Sequence, residues 1–105
     1  MELSVVRTLR TVSSERFLLQ RKRGEDAGAI DLHYLRDGSV AGTVFLFEDS
    51  GLTDDLIPEL LRYIDEVLLP DVSWDEFNLS FTVVRGRVVG DFKPETESSG
   101  RGGKT

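Results

Sequence analysis

The residues best suited to acid–base chemistry are the single histidine, His33, and the aspartate two positions before it, Asp31. Side chains two positions apart lie on the same face of a β-strand, so a strand here would bring the two together. A general base also needs a tuned pKa and a substrate pocket, and a metal site needs more ligands. The sequence supplies neither, and we interpret His33 as a solvated strand residue.

Two groups of acidic residues flank a predicted helix, at Asp49, Asp54 and Asp55 before it and at Asp71, Asp75 and Glu76 after it. Carboxylate oxygens bind hard cations, but this spacing lacks the central glycine and terminal glutamate of a calcium loop. The helix separates the two groups by about 22 Å at ~1.5 Å per residue, so they form no carboxylate pair. We interpret them as helix caps and solubilising charges, and we expect no catalytic residue, cofactor or metal.

The residues Gly102 to Thr105 resemble the end of a phosphate-binding loop. The full pattern needs a glycine five positions before Gly103, where this chain has Ser98, and it also needs a buried strand in front. The stretch from Pro94 to Arg101 contains no apolar residue and cannot form that strand. The sequence therefore argues against nucleotide binding here.

Charge is unevenly distributed along a chain whose net charge is −6. Residues 1–24, which include the run Arg21-Lys22-Arg23, carry six basic and two acidic groups, whereas residues 48–76 carry one basic and ten acidic groups. Because this acidic middle segment repels phosphate backbones, we expect no nucleic-acid partner. The basic run can mark a nucleic-acid contact, but it fits better an exposed edge strand or a counter-charge to the acidic helix.

Length indicates one small domain, and the lack of cysteine fits a reducing compartment without proving one. A chain of 105 residues has room for a single core. Its longest apolar stretch, Val40 to Phe47, is too short to cross a bilayer. We also expect no secretion signal in the first residues of the chain. The chain contains no cysteine, which excludes disulfides and fits a cytoplasmic location.

Four strands are predicted before the helix, at Leu3–Val12, Arg16–Arg23, Ala29–Arg36 and Val40–Phe47. Asp37-Gly38 supplies the two residues of a type I′ hairpin turn. That turn would place Tyr34 opposite Ala41 and Ile30 opposite Phe45. One face then collects the apolar side chains of Ile30, Leu32, Tyr34, Phe45 and Phe47, which predicts a core beneath them.

A helix is predicted from helical spacing of apolar residues between Leu56 and Leu68. Asp54 or Asp55 can cap its start, Pro58 fits its first turn, and Pro70 ends it. Ser73 and Glu76 have capping-box spacing, which predicts a short turn.

Two further strands are predicted after the helix. Phe77 to Val83 alternates between apolar and polar residues, and Arg85-Gly86 can close a second hairpin with Val83 opposite Val88. Together these elements predict an α+β domain over residues 1–93, with an antiparallel sheet of about six strands in ββββαββ order. The single amphipathic helix would pack on one face. Residues 94–105 contain no apolar side chain and are predicted to be disordered.

The open sheet face is the best functional clue, because one helix covers only one side of a sheet. An uncovered apolar face usually marks an interface. In the predicted register this interface comprises Leu35, Val40, Val44, Leu46 and Val89. Trp74 either contacts a partner or, as we favour, caps the edge of the core. We therefore expect a small acidic non-catalytic domain that pairs with itself or with another protein.

One alternative remains open: a small enzyme or ligand-binding domain with a pocket between helix and sheet. Its polar contacts would come from His33, Tyr34 or the acids around Asp54. No nucleophile–base pair or glycine-rich loop supports this alternative, and the sequence identifies neither an activity nor a particular partner.

Overall fold

Five strands and one α-helix are the main elements of regular structure in the described part of the chain. The computed structural model describes residues 2–70 and 78–94. In chain order the elements are β1 (Leu3–Arg10), β2 (Ser14–Arg21), β3 (Asp26–Tyr34), β4 (Val40–Phe47), α1 (Ile57–Leu68) and β5 (Leu79–Gly86). The predicted α+β class is confirmed, and the first four strands and the helix lie close to their predicted positions.

The sheet is mixed, with its strands in the order β1-β2-β3-β4-β5. Neighbours from β1 to β4 pair antiparallel, whereas β5 pairs with β4 in parallel. The predicted antiparallel sheet of six strands is therefore wrong in strand number and direction for the described residues. The reason is the helical connection between β4 and β5, because parallel neighbours are joined by such crossovers.

The predicted second hairpin does not form at Arg85 and Gly86. Instead β5 continues along β4 to its end, where the N–H of Glu48 donates a hydrogen bond to the carbonyl oxygen of Gly86 at 2.7 Å. A type I′ turn needs left-handed backbone at both central positions, and Gly86 does not have it. Residues 87–94 follow β5 without regular secondary structure.

The loop between β3 and β4 has three residues, Arg36 to Gly38, rather than the predicted two. The N–H of Gly38 donates to the carbonyl oxygen of Leu35 at 3.0 Å, and the N–H of Leu35 donates to that of Ser39 at 2.9 Å. Gly38 has left-handed backbone, with φ of 89°, and occupies the third loop position. This is the usual geometry of a three-residue hairpin loop.

One extra loop residue reverses the two faces of β4 relative to the prediction. A shift of one residue in register moves each side chain to the opposite face. Ile30 thus lies opposite Val44 instead of Phe45. Phe45 and Phe47, predicted to face the core, lie on the other side of the sheet.

Helix α1 packs on one side of the sheet, here called the inner face, and the opposite side is the outer face. Leu60 and Ile64 lie one helical turn apart and are 1% and 0% exposed. They join the core with the buried side chains of the strands, chiefly Leu19, Ile30, Leu32, Val44 and Leu46. Burial of a side chain of this size contributes about 1.5–3 kcal/mol, so this helix contact holds the fold together.

The helix is preceded by a 3₁₀ turn, Asp54–Leu56, that runs directly into it. Asp54 and Asp55 lie inside this turn, and no side chain caps either start; the predicted aspartate cap is therefore wrong. Pro58 lies in the first turn of α1 as predicted, where its missing N–H breaks no helical bond. Trp74, the predicted turn at Ser73–Glu76 and the tail beyond residue 94 lie outside the described residues.

Candidate interaction surface

The outer face carries an unbroken row of apolar side chains across all five strands. Val6 lies opposite Leu18, which lies opposite Ala29; Ala29 lies opposite Phe45, and Phe45 opposite Val84. Residues directly opposite in neighbouring strands share a face and come into contact. These five residues, the outer row, therefore form one apolar stripe that runs across the strands.

The outer row is open at its ends and partly shielded in its middle. Val6 is 47% exposed and Val84 is 42% exposed, while Leu18, Ala29 and Phe45 are half-buried. None of the five belongs to the core that contacts α1.

Two phenylalanine rings enlarge the apolar surface beside β5. The rings of Phe45 and Phe47 meet edge to face, with centroids 5.9 Å apart and planes at 68°. The Phe45 ring also lies over the backbone of Gly86, where an added Cβ would stand 3.3 Å from its Cζ. Glycine at position 86 leaves space for this ring, and large aromatic surfaces of this kind often anchor protein interfaces.

A polar row runs beside the outer row and contains an internally neutralised ion pair. Arg16 and Asp31 lie opposite each other on β2 and β3, and Thr43 and Thr82 continue the row. The Nε of Arg16 donates to Oδ1 of Asp31 at 2.7 Å, and its Nη2 donates to Oδ2 at 3.2 Å. This bidentate contact raises the pKa of Arg16 through its hydrogen bonds and charge attraction to Asp31.

The outer face is close to neutral although the chain is strongly acidic. Among described strand residues, the charged side chains there are Arg16, Asp26 and Asp31, with Gln20 donating to Asp26 at 3.1 Å. One positive and two negative groups give 1 − 2 = −1, against −6 for the whole chain. Most of the acidic charge therefore lies elsewhere on the molecule.

Three predicted interface residues lie in the core instead of on the open face. Val40, Val44 and Leu46 are 3%, 0% and 0% exposed and contact the helix side of the molecule. Their placement follows from the three-residue loop, which turns these side chains inward. The structure thus corrects the predicted face of β4.

The other predicted interface residues are scattered. Leu35, directly after β3, is 48% exposed, and Val89 after β5 is 83% exposed; neither belongs to the outer row. Trp74 lies outside the described residues. The prediction missed the outer row because it placed the side chains of β4 on the wrong faces and assigned none of the side chains of β1 to a face. One signal was available: the alternation in β5 places Val84 on the face opposite Val83.

A buried carboxylate joins β1, β2 and β3 on the inner face. Glu15 is 9% exposed and accepts a hydrogen bond from the Tyr34 hydroxyl at 2.9 Å. Nη1 of Arg7 and Nη1 of Arg10 each lie 3.5 Å from its oxygens. Burial, followed by the hydrogen bond to Glu15 and its charge, raises the pKa of Tyr34 to about 12. Both carboxylate oxygens are engaged in these contacts, which join the three strands.

The candidate acid–base pair is not formed. His33 is exposed on the outer face, with Ser14 and Ala41 as its cross-strand neighbours. Asp31 shares that face but binds Arg16. Tyr34, the next residue, points to the inner face, so the proposed polar contacts of a pocket are divided between two sides of the sheet.

Basic residues from the start of the chain are engaged in local contacts. Nη1 of Arg21 donates to the carbonyl oxygen of Ser50 at 2.6 Å, which ties β2 to the loop after β4. Nζ of Lys22 lies 3.4 Å from a carboxylate oxygen of Glu2. These contacts use part of the predicted basic block within the fold.

A crevice of about 410 Å³ opens between the start of α1 and the ends of β4 and β5. It is lined by Leu46, Asp54, Ile57, Val83 and Arg85, and Arg85 donates to Asp54 at 2.8 Å across its rim. The crevice lies at the Leu46 end of β4, whereas Tyr34 pairs with Val40 at the start of that strand, about 20 Å away at ~3.3 Å per residue. The predicted pocket residues therefore do not meet here: of His33, Tyr34 and Asp54, the crevice lining includes Asp54 and neither of the other two.

Two classes of site receive no support from residues 2–70 and 78–94. No three histidine, aspartate or glutamate side chains in these ranges are grouped so that they could hold a metal ion. No helix in the same part of the chain has the length and apolar character needed to cross a membrane.

Comparison with known proteins gives no match: the sequence matches no protein-family model, and no significant match was found among curated proteins or solved structures. The functional argument therefore depends on the geometry of this chain.

Proposed function

We propose that this chain is a non-catalytic interaction domain that binds a protein through the outer face of its sheet. The observation that carries the proposal is the continuity of the outer row across five strands. Scattered apolar side chains are common on any surface, but a contiguous apolar patch usually marks a contact surface. In the described part of the chain, α1 covers only the opposite face.

The size of the outer face supports a stable contact. The strands contain eight or nine residues each. At ~3.3 Å per residue and ~4.8 Å between strands, five of them give about 26 Å by 24 Å, or roughly 600 Å². Specific complexes bury about 600–1,000 Å² on each partner, so this face alone reaches the lower end of that range.

The chemistry of the face favours a protein over a nucleic acid or a lipid surface. Phosphate groups are bound by clustered lysine and arginine, and the described strand residues of the outer face carry one such side chain, Arg16, already paired with Asp31. Apolar anchors with a polar margin are typical of protein interfaces. The absence of cysteine further supports a partner in a reducing, cytoplasmic compartment.

A site-specific photo-crosslinker tests this proposal. Thr43→p-benzoylphenylalanine places the reactive group beside the outer row, and Glu59→p-benzoylphenylalanine on the exposed side of α1 is the matched control. We expect a discrete protein adduct from position 43 in the native host, lost when Phe45→Asp is added, and none from position 59. Absence of any adduct at position 43 would overturn the proposal.

Small-ligand binding is a second candidate, favoured by the crevice beside Asp54 and Arg85. Its lining is largely apolar with an ion pair at the rim, a combination found in ligand pockets. It also lies at the carboxyl ends of the parallel pair β4 and β5, where α/β sheets commonly bind ligands. Amide shifts confined to residues around Val83 on addition of a small-molecule library would support this candidate, and unchanged shifts would reject it.

A further inference from the structure

We infer that the partner is a second copy of this chain, stacked outer face against outer face. The inference rests on the proposed function, because it names the protein that the outer face binds. A symmetric pair of this kind brings the same patch of both copies together, so the patch must complement itself in charge, shape and apolar content.

The charge of the outer face permits this pairing. Each copy has a net charge of −6, and two such molecules repel each other at most orientations. The strand residues of the outer face carry only −1, and Arg16 and Asp31 neutralise each other through two hydrogen bonds within one copy. Face-to-face contact therefore keeps most of the negative charge away from the interface, whereas contact through the acidic helix would bring like charges together.

The shape of the outer face permits close approach of two sheets. Five small side chains lie on the outer face of β3, β4 and β5, namely Ala29, Ala41, Thr43, Ser80 and Thr82. Stacked sheets lie about 10 Å apart, a distance that small and medium side chains fill. Ala29 is central, because β3 is the middle strand and Ala29 the middle residue of the outer row.

The area is sufficient for a pair. Two outer faces of roughly 600 Å² bury about 1,200 Å² in total, the lower end of the range for specific complexes. More apolar surface follows β5 directly, where Val88, Val89 and Phe92 are 56%, 83% and 85% exposed. The C-terminal residues 95–105 are a poor alternative occupant of this face. They contain no apolar side chain and would not replace water favourably there.

Sedimentation equilibrium measures the pairing and its location. We expect the wild-type chain of 11.8 kDa to approach twice that mass as its concentration rises. Phe45→Asp should raise the dimer dissociation constant about 30-fold or more, the effect of losing an interface anchor. Val12→Asp is the matched control, because Val12 is fully exposed in the β1–β2 loop; its dissociation constant should equal that of wild type.

Cysteine crosslinking provides a second readout that does not depend on a disruptive substitution. The chain has no cysteine of its own, so Ala29→Cys introduces one thiol at the centre of the face. A residue near a two-fold axis lies near its own counterpart, and a short bismaleimide should link two copies efficiently at low protein concentration. Glu59→Cys, exposed on α1, should link at least tenfold less.

The outcomes separate this inference from the proposed function. A wild-type chain that stays monomeric and does not crosslink through position 29 overturns the second-copy inference. If the crosslinker at position 43 still forms an adduct with a different protein, the proposed function stands with another partner. A dimer that Phe45→Asp and Val84→Asp leave intact uses another surface, which also overturns the inference.

Discussion

Replacing valine by threonine at two positions, Val44 and Val84, tests the register that creates the outer face. The two side chains have nearly the same size, so the exchange adds a hydroxyl without opening a cavity. Val44 is 0% exposed and lies between Ile30 and Val83 on the inner face. Its hydroxyl would be buried without a partner, and we expect the free energy of unfolding to fall by about 2–3 kcal/mol.

The same exchange at Val84 should lower the free energy of unfolding of the isolated monomer only slightly. Val84 is 42% exposed on the outer face, where the new hydroxyl reaches water, and surface substitutions usually stay within about 0.5 kcal/mol. Urea unfolding followed by circular dichroism, at a concentration where the chain is monomeric, measures both. We expect the midpoint to fall by about 1–2 M for Val44→Thr and to change little for Val84→Thr. Equal losses, or a larger loss at Val84, would refute the assignment of faces.

Further predictions concern the inner-face cluster, a close backbone approach and the salt dependence of pairing. The pKa of Tyr34 is raised from 10.0 to about 12, so the stability that its neutral hydroxyl provides is complete below pH 10 and is lost as the pH rises towards 12. Wild type should therefore lose more free energy of unfolding than Tyr34→Phe over that interval, and parallel pH profiles would contradict this. Gly28→Ala would place a Cβ 2.2 Å from the carbonyl oxygen of Phe45, and should cost about 1–3 kcal/mol in urea unfolding. Gly24, by contrast, has open space around it but a left-handed backbone, so Gly24→Ala should cost only about 1 kcal/mol; a larger loss there than at Gly28 would count against the close packing of β3 and β4. Added salt should tighten the dimer measured by sedimentation, because it screens the repulsion between two acidic copies; weakening would indicate an interface held by opposite charges.

Much of the fold could be read from the sequence because local patterns were unambiguous. The helix was fixed by the helical spacing that buries Leu60 and Ile64, and by Pro58 and Pro70 at its ends. Ile30 and Leu32 alternate with polar neighbours, so the inward face of β3 was also clear.

The register of β4 could not be read in the same way because both of its faces are apolar. Val44 and Leu46 alternate with Phe45 and Phe47, and alternation alone accepts either pair as the core. The choice depends on whether the preceding loop has two or three residues. Asp-Gly favours the first, but the structure has the second, with Gly38 in the third position.

The outer row could not be predicted because it depends on four strand pairings at once. Each of its members becomes a neighbour of the next only when every register is known. The pairing of Val84 with Phe45 further requires a parallel β5, and a strand's own sequence does not reveal its direction. The candidate surface is therefore a property of the assembled sheet.

Methyl NMR over a dilution series tests most directly whether the outer face is the contact surface. We expect the methyl signals of Val6, Leu18 and Val84 to shift together with rising concentration and to give one dissociation constant. The methyls of Val12 and Val67, which are exposed outside the sheet, should stay in place. Shifts at Val67 with an unchanged outer row, or no concentration dependence anywhere in the wild-type chain, would contradict the account.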